Sequence, residues 1–205
     1  MQPPPPLILA SASPRRVQLM HQAGYTFTAL TPEGVEEAHD ATLTPEALTV
    51  ENARRKATAI AHTHPDALGV GADTLVYLAG IPLGKPATHT EAHEMLRRLS
   101  GRAHEVCTGV FLAWDAGRQG HGFHVISHVI FRQLSDEEIR AYHTLVDPLD
   151  KAGAYGIQEH GEKIITRHEG SWTNIMGLPM ERLREELTQL THSAYPPRKS
   201  GSTES

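Results

Sequence analysis

The chain has 205 residues, of which 39% are hydrophobic and 21% charged. That is enough apolar material for the core of one ordinary domain and too mixed for disorder throughout. A formal net charge of -5 excludes a broad basic face for a nucleic acid polymer, although a local basic site is compatible with it. Cys107 is the single cysteine, which excludes an intramolecular disulfide and a multi-cysteine zinc site. No apolar stretch approaches the roughly 20 residues of a membrane helix, and Met1-Gln2 followed by four prolines lacks the features of a signal peptide. A soluble cytoplasmic protein is the expectation. Only five of the 19 basic residues are lysine: Lys56, Lys85, Lys151, Lys163 and Lys199.

Pro3–Pro6 read as a stiff extended lead-in, and the polar run from about Ser193 reads as an unstructured tail. The folded body is therefore expected at residues 7–192. Leu7–Ala10 reads as a buried strand. Ser13-Pro14 opens a helix to about Ala23, ahead of Gly24. Tyr25–Leu30 reads as a strand. Thr44-Pro45-Glu46 opens a helix to about Thr63, with Ala53, Ala57, Ile60 and Ala61 on its apolar face. Val70–Leu78 reads as a strand, with a turn at Ala79-Gly80. Thr88 and Glu91 form the pattern of a capping box for a helix to Leu99. Strands follow at about Glu105–Trp114 and Gly122–Leu134. Ser135 and Glu138 repeat the capping pattern for a helix to Val146, which Asp147-Pro148 ends. A last helix runs from Met180 to about Leu190. The order predicts an α/β fold with a mixed sheet.

Three segments carry candidate chemistry. After the first strand, Ser11 and Ser13 bring hydroxyls, and a helix start brings free N–H groups. Arg15 and Arg16 in that first turn oppose the helix dipole, a placement that an anionic ligand reverses. The set suits a polyphosphate, although Ser13 as a plain cap and solvated arginines read equally well. It is not a Walker A loop, because the glycines and the Gly-Lys-Ser/Thr ending are missing.

The second segment set is Glu36-Glu37 in a loop, Lys56 on a helix, Asp73-Thr74 within an apolar strand, and Lys85 between Gly84 and Pro86. An aspartate in such a strand is costly without partners. Gly71 and Ala72 before it leave room for a ligand to approach. Mg²⁺ prefers carboxylate and phosphate oxygens, a further carboxylate can activate water, and lysines neutralise developing charge. Phosphoanhydride cleavage uses such a set. Taken singly, each residue is better read as ordinary.

The third is Asp150–Gln158, where Gly153 and Gly156 allow close approach to a flat ligand and Gln158 offers donors and an acceptor to a base edge. The loop Gly170–Pro179 either closes the site or only caps the last helix. His121, His124 and His128 lie in a strand-rich segment, where their offsets do not share one face. Cys107 reads as buried and inert.

These pieces together resemble the Maf family of nucleoside triphosphate pyrophosphatases. Ser11–Arg16, Val35–Glu37, Lys56-Ala57, Ala72–Val76, Gly84–Pro86, Lys151–Gln158 and Asn174–Pro179 match its motifs in order and span nearly the whole body. The resemblance implies an α/β fold shared with the inosine triphosphatase group: an elongated mixed sheet flanked by helices, with two lobes around a cleft. It implies a hydrolase dependent on a divalent metal, Mg²⁺ or Mn²⁺, that attacks the α phosphorus of a nucleoside triphosphate with water and releases pyrophosphate. Asp73 matches the proton acceptor, and Glu37 with Asp73 is the implied metal pair. Lys56 and Lys85 match catalytic positions. Ser11 and Arg16, with both lysines, match positions expected to face phosphates, and Ser13 is a further substrate-binding candidate. Arg15, Thr74 and Gln158 match positions of substrate choice, in the form of the dTTP and UTP branch. A homodimer is the family habit. The alternatives are a 7-methyl-GTP or inosine triphosphate pyrophosphatase, and a non-catalytic nucleotide-binding regulator of cell division. Three residues depart from the family pattern: Glu36 for aspartate, Asn52 for an apolar residue, and Glu159 for glycine.

Overall fold

The computed structural model describes residues 5–40 and 42–194, with side chains to 190. Most of the expected lead-in and the chain from 195 onward lie outside the described residues. Strands β1 (Leu7–Ala10), β2 (Thr28–Ala29), β3 (Leu68–Leu78), β4 (Ile81–Leu83), β5 (Ala103–Trp114), β6 (Gln119–Phe131) and β7 (Ile165–Glu169) form one mixed sheet. Its order is β2-β1-β3-β5-β6-β7, with β4 paired to β3. β1 runs parallel to β2 and β3, and the remaining pairings are antiparallel. The helices are α1 (Pro14–Gln22), α2 (Pro45–Thr63), α3 (His89–Leu99), α4 (Asp136–His143), α5 (Trp172–Ile175) and α6 (Met180–Ala194).

The caps of α2, α3 and α4 follow the sequence with one shift. Ser135 and Glu138 close a full capping box. Thr88 accepts from the Glu91 N–H, but the Glu91 carboxylate reaches back to the N–H of Ala87 instead of Thr88. Several elements differ from expectation, among them β2, which keeps only Thr28–Ala29 of the expected Tyr25–Leu30, and α4, which ends at His143 short of Val146. β4 and β7 were not anticipated: β4 has only three residues, and β7 is a polar edge strand without apolar alternation. β6 begins at Gln119 because Asp115, Ala116 and Gly117 all take positive φ and make a tighter turn than the composition implies. α6 extends to Ala194, past the expected Leu190.

Two cores lie on one face of the sheet, one beyond the other along β3. One joins Leu9, Leu68, Val70 and Ala72 to Leu19 and Met20 of α1 and Leu183 and Leu187 of α6. The other joins Val76, Leu78 and Phe131 to Leu96 and Leu99 of α3 and to Ile139 and Tyr142 of α4. β3 runs through both. Asp73 and Thr74 fall where the first ends and the second begins, and the cleft opens there.

α2 packs on the sheet through small side chains and, at two glycines, backbone to backbone. A Cβ on Gly71 would come 2.1 Å from the carbonyl oxygen of Ala53, and one on Gly109 would come 2.3 Å from the backbone of Thr49. This corrects the expectation for Gly71: its open face admits a helix, not a ligand.

Candidate active site

A cleft of 670 Å³ opens between the two cores and collects residues from α1, α2, β3 and the adjoining loops. Ser13, Arg15, Arg16, Glu37, Lys56, Asp73, Thr74, Lys85 and Gln158 all line it. Of the expected site residues, only Ser11 does not.

Its floor is an acidic pair around one ammonium. Asp73 is carried by β3 on the face toward α2 and is 7% exposed. Lys56 of α2 donates to Asp73 Oδ1 at 3.2 Å and to Glu37 Oε1 at 2.6 Å, with the Ala72 carbonyl at 3.5 Å as its third acceptor. The other carboxylate oxygen of Asp73 accepts from Asn52 Nδ2 at 3.1 Å. The buried aspartate thus has the partners its position requires. Burial pushes the Glu37 carboxyl up. The hydrogen bond and charge of Lys56, with the charges of Lys85 and Arg16, outweigh this and hold it below the usual carboxylate range.

The wall above is basic. Ser13 occupies the N-cap position of α1, but its hydroxyl makes no cap bond, so the plain-cap reading does not hold. Its N–H donates to Ser11 Oγ, which also accepts from Arg16. Arg16 is further held by the Gly177 carbonyl at 2.8 Å and Thr74 Oγ1 at 3.1 Å. Burial pushes its guanidinium down, against the pull of the Asp73 carboxylate. Thr74 in turn contacts Thr108 Oγ1, which donates to the Asn174 carbonyl. The Gly170–Pro179 loop therefore braces the cleft from behind Arg16. Lys85 is exposed beside open space at Gly84 and, among the described residues, has no ion-pair partner.

The third wall holds a charge network that sequence reasoning did not assemble. Lys151, 4% exposed, pairs with Asp150 at 2.6 Å and Glu159 at 3.1 Å. Arg15 reaches the same two carboxylates at 3.5 and 3.8 Å. The charge that Glu159 adds is thus neutralised locally. Gly156 and the exposed Gln158 line the cleft, but Gly153 packs on Val76 instead of facing a ligand. Tyr155 is core, with its hydroxyl 2.7 Å from His104 Nε2.

Glu37, Asp40, Asp73 and Asp150 are the carboxylates that line the cleft, and Glu37 and Asp73 share the Lys56 ammonium on its floor. Among the described residues no three His, Cys, Asp or Glu side chains gather into a self-sufficient metal cluster. Two carboxylates facing a basic cleft fit a hard ion that completes its shell with phosphate oxygens and water, as Mg²⁺ does. The histidines of β6 go elsewhere: His121 meets Glu186 at 3.0 Å and His128 meets Glu105 at 3.6 Å. Burial pushes the Cys107 thiol up to about 11, in keeping with an inert core cysteine.

Residues 6–190 match the family model described as Maf-like protein. A dTTP/UTP pyrophosphatase of Akkermansia muciniphila is 45% identical over 190 residues, covering 93% of this chain and 99% of that protein. A protein of the same name from Phocaeicola vulgatus is 45% identical over 186 residues, covering 90% of this chain and 95% of that one. Among solved structures, a HAM1 protein from Coxiella burnetii aligns with a TM-score of 0.43 and 20% identity, over 61% of this chain and 72% of that one.

Proposed function

The chain belongs to the Maf-like protein family, and from that premise we propose that it is a nucleoside triphosphate pyrophosphatase acting on dTTP and UTP. The names of its close relatives support this substrate class. The observation that carries the chemistry is the Lys56 ammonium held between Glu37 and Asp73 on the floor of a cleft walled by Arg15, Arg16 and Lys85.

In this reading Asp73 accepts a proton from a water that attacks the α phosphorus. The bond to the bridging oxygen breaks, and its electron pair leaves with pyrophosphate. Lys56, Lys85 and Arg16 neutralise the charge that gathers on the phosphate oxygens, and Ser13 offers a further donor. Ser11 and Thr74 act through Arg16, since both hydroxyls are engaged with it. Gln158 presents amide donors and an acceptor that complement the alternating carbonyl and N–H edge of thymine or uracil. Arg15 lies on the same side of the cleft, paired with Asp150. Glu37 and Asp73 would hold Mg²⁺ or Mn²⁺, which when bound supplies charge neutralisation at the phosphates.

The proposal extends to a single catalytic unit over residues 7–192 and to a cytoplasmic homodimer. No helix among the described residues is long and apolar enough to cross a membrane. Pyrophosphate release from dTTP, UTP, 7-methyl-GTP and inosine triphosphate, with Mg²⁺ or Mn²⁺ and after chelation, tests it. dTTP and UTP should be cleaved fastest, and chelation should stop the reaction. Preference for a purine substrate overturns the base assignment. Binding with no release at either metal favours the non-catalytic regulator.

A further inference from the structure

The two carboxylates of the cleft come from separate parts of the chain, Glu37 from a loop and Asp73 from β3. One helix ties them together. Along α2, Arg55 Nη1 donates to the Glu36 carbonyl at 3.1 Å and Lys56 to the Glu37 side chain at 2.6 Å. Asn52 takes the Ala38 N–H on Oδ1 at 2.6 Å and donates Nδ2 to the Ala38 carbonyl at 3.3 Å. Three successive loop residues are thus strapped to one helix. Asn52 also donates to Asp73 Oδ2 at 3.1 Å.

Asn52 is 3% exposed, and its acceptor and its amino group are all spent on the two segments that carry the carboxylates. Reversing the amide would set its oxygen against Asp73 Oδ2 and its nitrogen against the Ala38 N–H, so the network fixes its orientation. Asn52 and Lys56 stand four residues apart on the same face of α2. Lys56 cannot fix orientation alone, because an ammonium on a flexible stem restrains a charge more than a direction. The planar, short amide supplies the direction. It does so from a rigid base, since α2 meets β3 backbone to backbone at Gly71.

We propose that Asn52 is a positioning residue that sets the spacing and orientation of the Glu37 loop relative to the Asp73 carboxylate. The inference deepens the pyrophosphatase reading and rests on it. Asn52→Leu keeps the branched heavy-atom skeleton of the side chain, with somewhat larger bulk, and removes all three hydrogen bonds. In protein shown to be folded by circular dichroism, kcat for dTTP should fall by about 10–100-fold. KM should stay within about twofold, because the side chain's polar atoms are committed to the protein and not to substrate. Amide hydrogen exchange at Ala38 should quicken in the nucleotide-free protein. Asn52→Gln, which keeps the amide on a longer stem, should recover part of kcat. A merely structural residue would lower the folded fraction and leave the kcat of the folded enzyme and its recovery by glutamine unmoved.

Folded Asn52→Leu with wild-type kcat, or with unchanged exchange at Ala38, overturns the proposal. If the leucine variant does not fold, Asn52→Ala removes the same bonds with a smaller side chain and carries the comparison. Wild-type protein inactive on every nucleotide would instead sink the pyrophosphatase reading, and Ala38 exchange would still decide whether Asn52 straps the loop.

Discussion

Replacing Asp73 by asparagine keeps the shape of the side chain and removes its charge. Its two oxygens accept from Lys56 at 3.2 Å and from Asn52 at 3.1 Å. An amide at this position has one oxygen, so in either orientation one of those donors faces an NH₂ group. One buried hydrogen bond is lost, at about 1–3 kcal/mol. Lys56 is not stranded, because Glu37 remains 2.6 Å away. The amide cannot take a proton from water, and loss of a general base lowers kcat by about 10²–10⁴-fold. That corresponds to about 3–5.5 kcal/mol in the barrier. Turnover should therefore suffer more than stability. Pyrophosphate release from dTTP at saturating metal, set beside urea unfolding of the same preparation, measures both. Folded Asp73→Asn protein that turns over dTTP within about tenfold of wild type would refute the assignment of Asp73 as proton acceptor.

Gly109→Ala places a Cβ 2.3 Å from the backbone of Thr49, so α2 must lift from the sheet, and urea unfolding should show a loss of about 1–3 kcal/mol. Gly84→Ala meets nothing within 4 Å and should leave the unfolding midpoint in place; equal effects at the two sites would contradict the close contact of helix and sheet. Burial pushes the His104 imidazole down to about 4. Its folded value lies below the unfolded one, so the unfolded chain takes up the proton first. This stability is full above about pH 6.5 and falls as pH drops toward 4, by about 3 kcal/mol in total. His104→Gln should flatten that part of the curve of unfolding free energy against pH, and parallel curves for the two proteins would count against the burial argument.

The parts of the site that sequence makes legible are those whose local setting is itself unusual. A charge inside the apolar run Val70–Leu78 and two arginines at the positive end of α1 each contradict a local preference, and both line the cleft. Residues whose local setting is ordinary were harder to read. Glu36-Glu37 has the composition of any solvated loop, and Lys151 that of any turn, yet one is strapped to α2 and the other is buried among Asp147, Asp150 and Glu159. Asn52 stood out only as a departure from the family pattern, and nothing local to it names Asp73 or Ala38 as its partners. β7 carries no apolar alternation in its sequence, because an edge strand with one side in water needs none.

The sequence by itself determined the order of the long helices and strands, the caps at Thr44, Thr88 and Ser135, the α/β class and the residue types that the cleft chemistry needs. Each of these depends on near neighbours along the chain, through side-chain period, cap geometry or backbone freedom. Only the tertiary structure decided which carboxylate meets which donor. Asn52 lies 14 residues from Ala38 and 21 from Asp73. Their hydrogen bonds exist because Gly71 and Gly109 lack a Cβ and let α2 settle directly on the sheet. Hydrogen bonds require alignment to a few tenths of an ångström, and that alignment is set by the packing of whole elements.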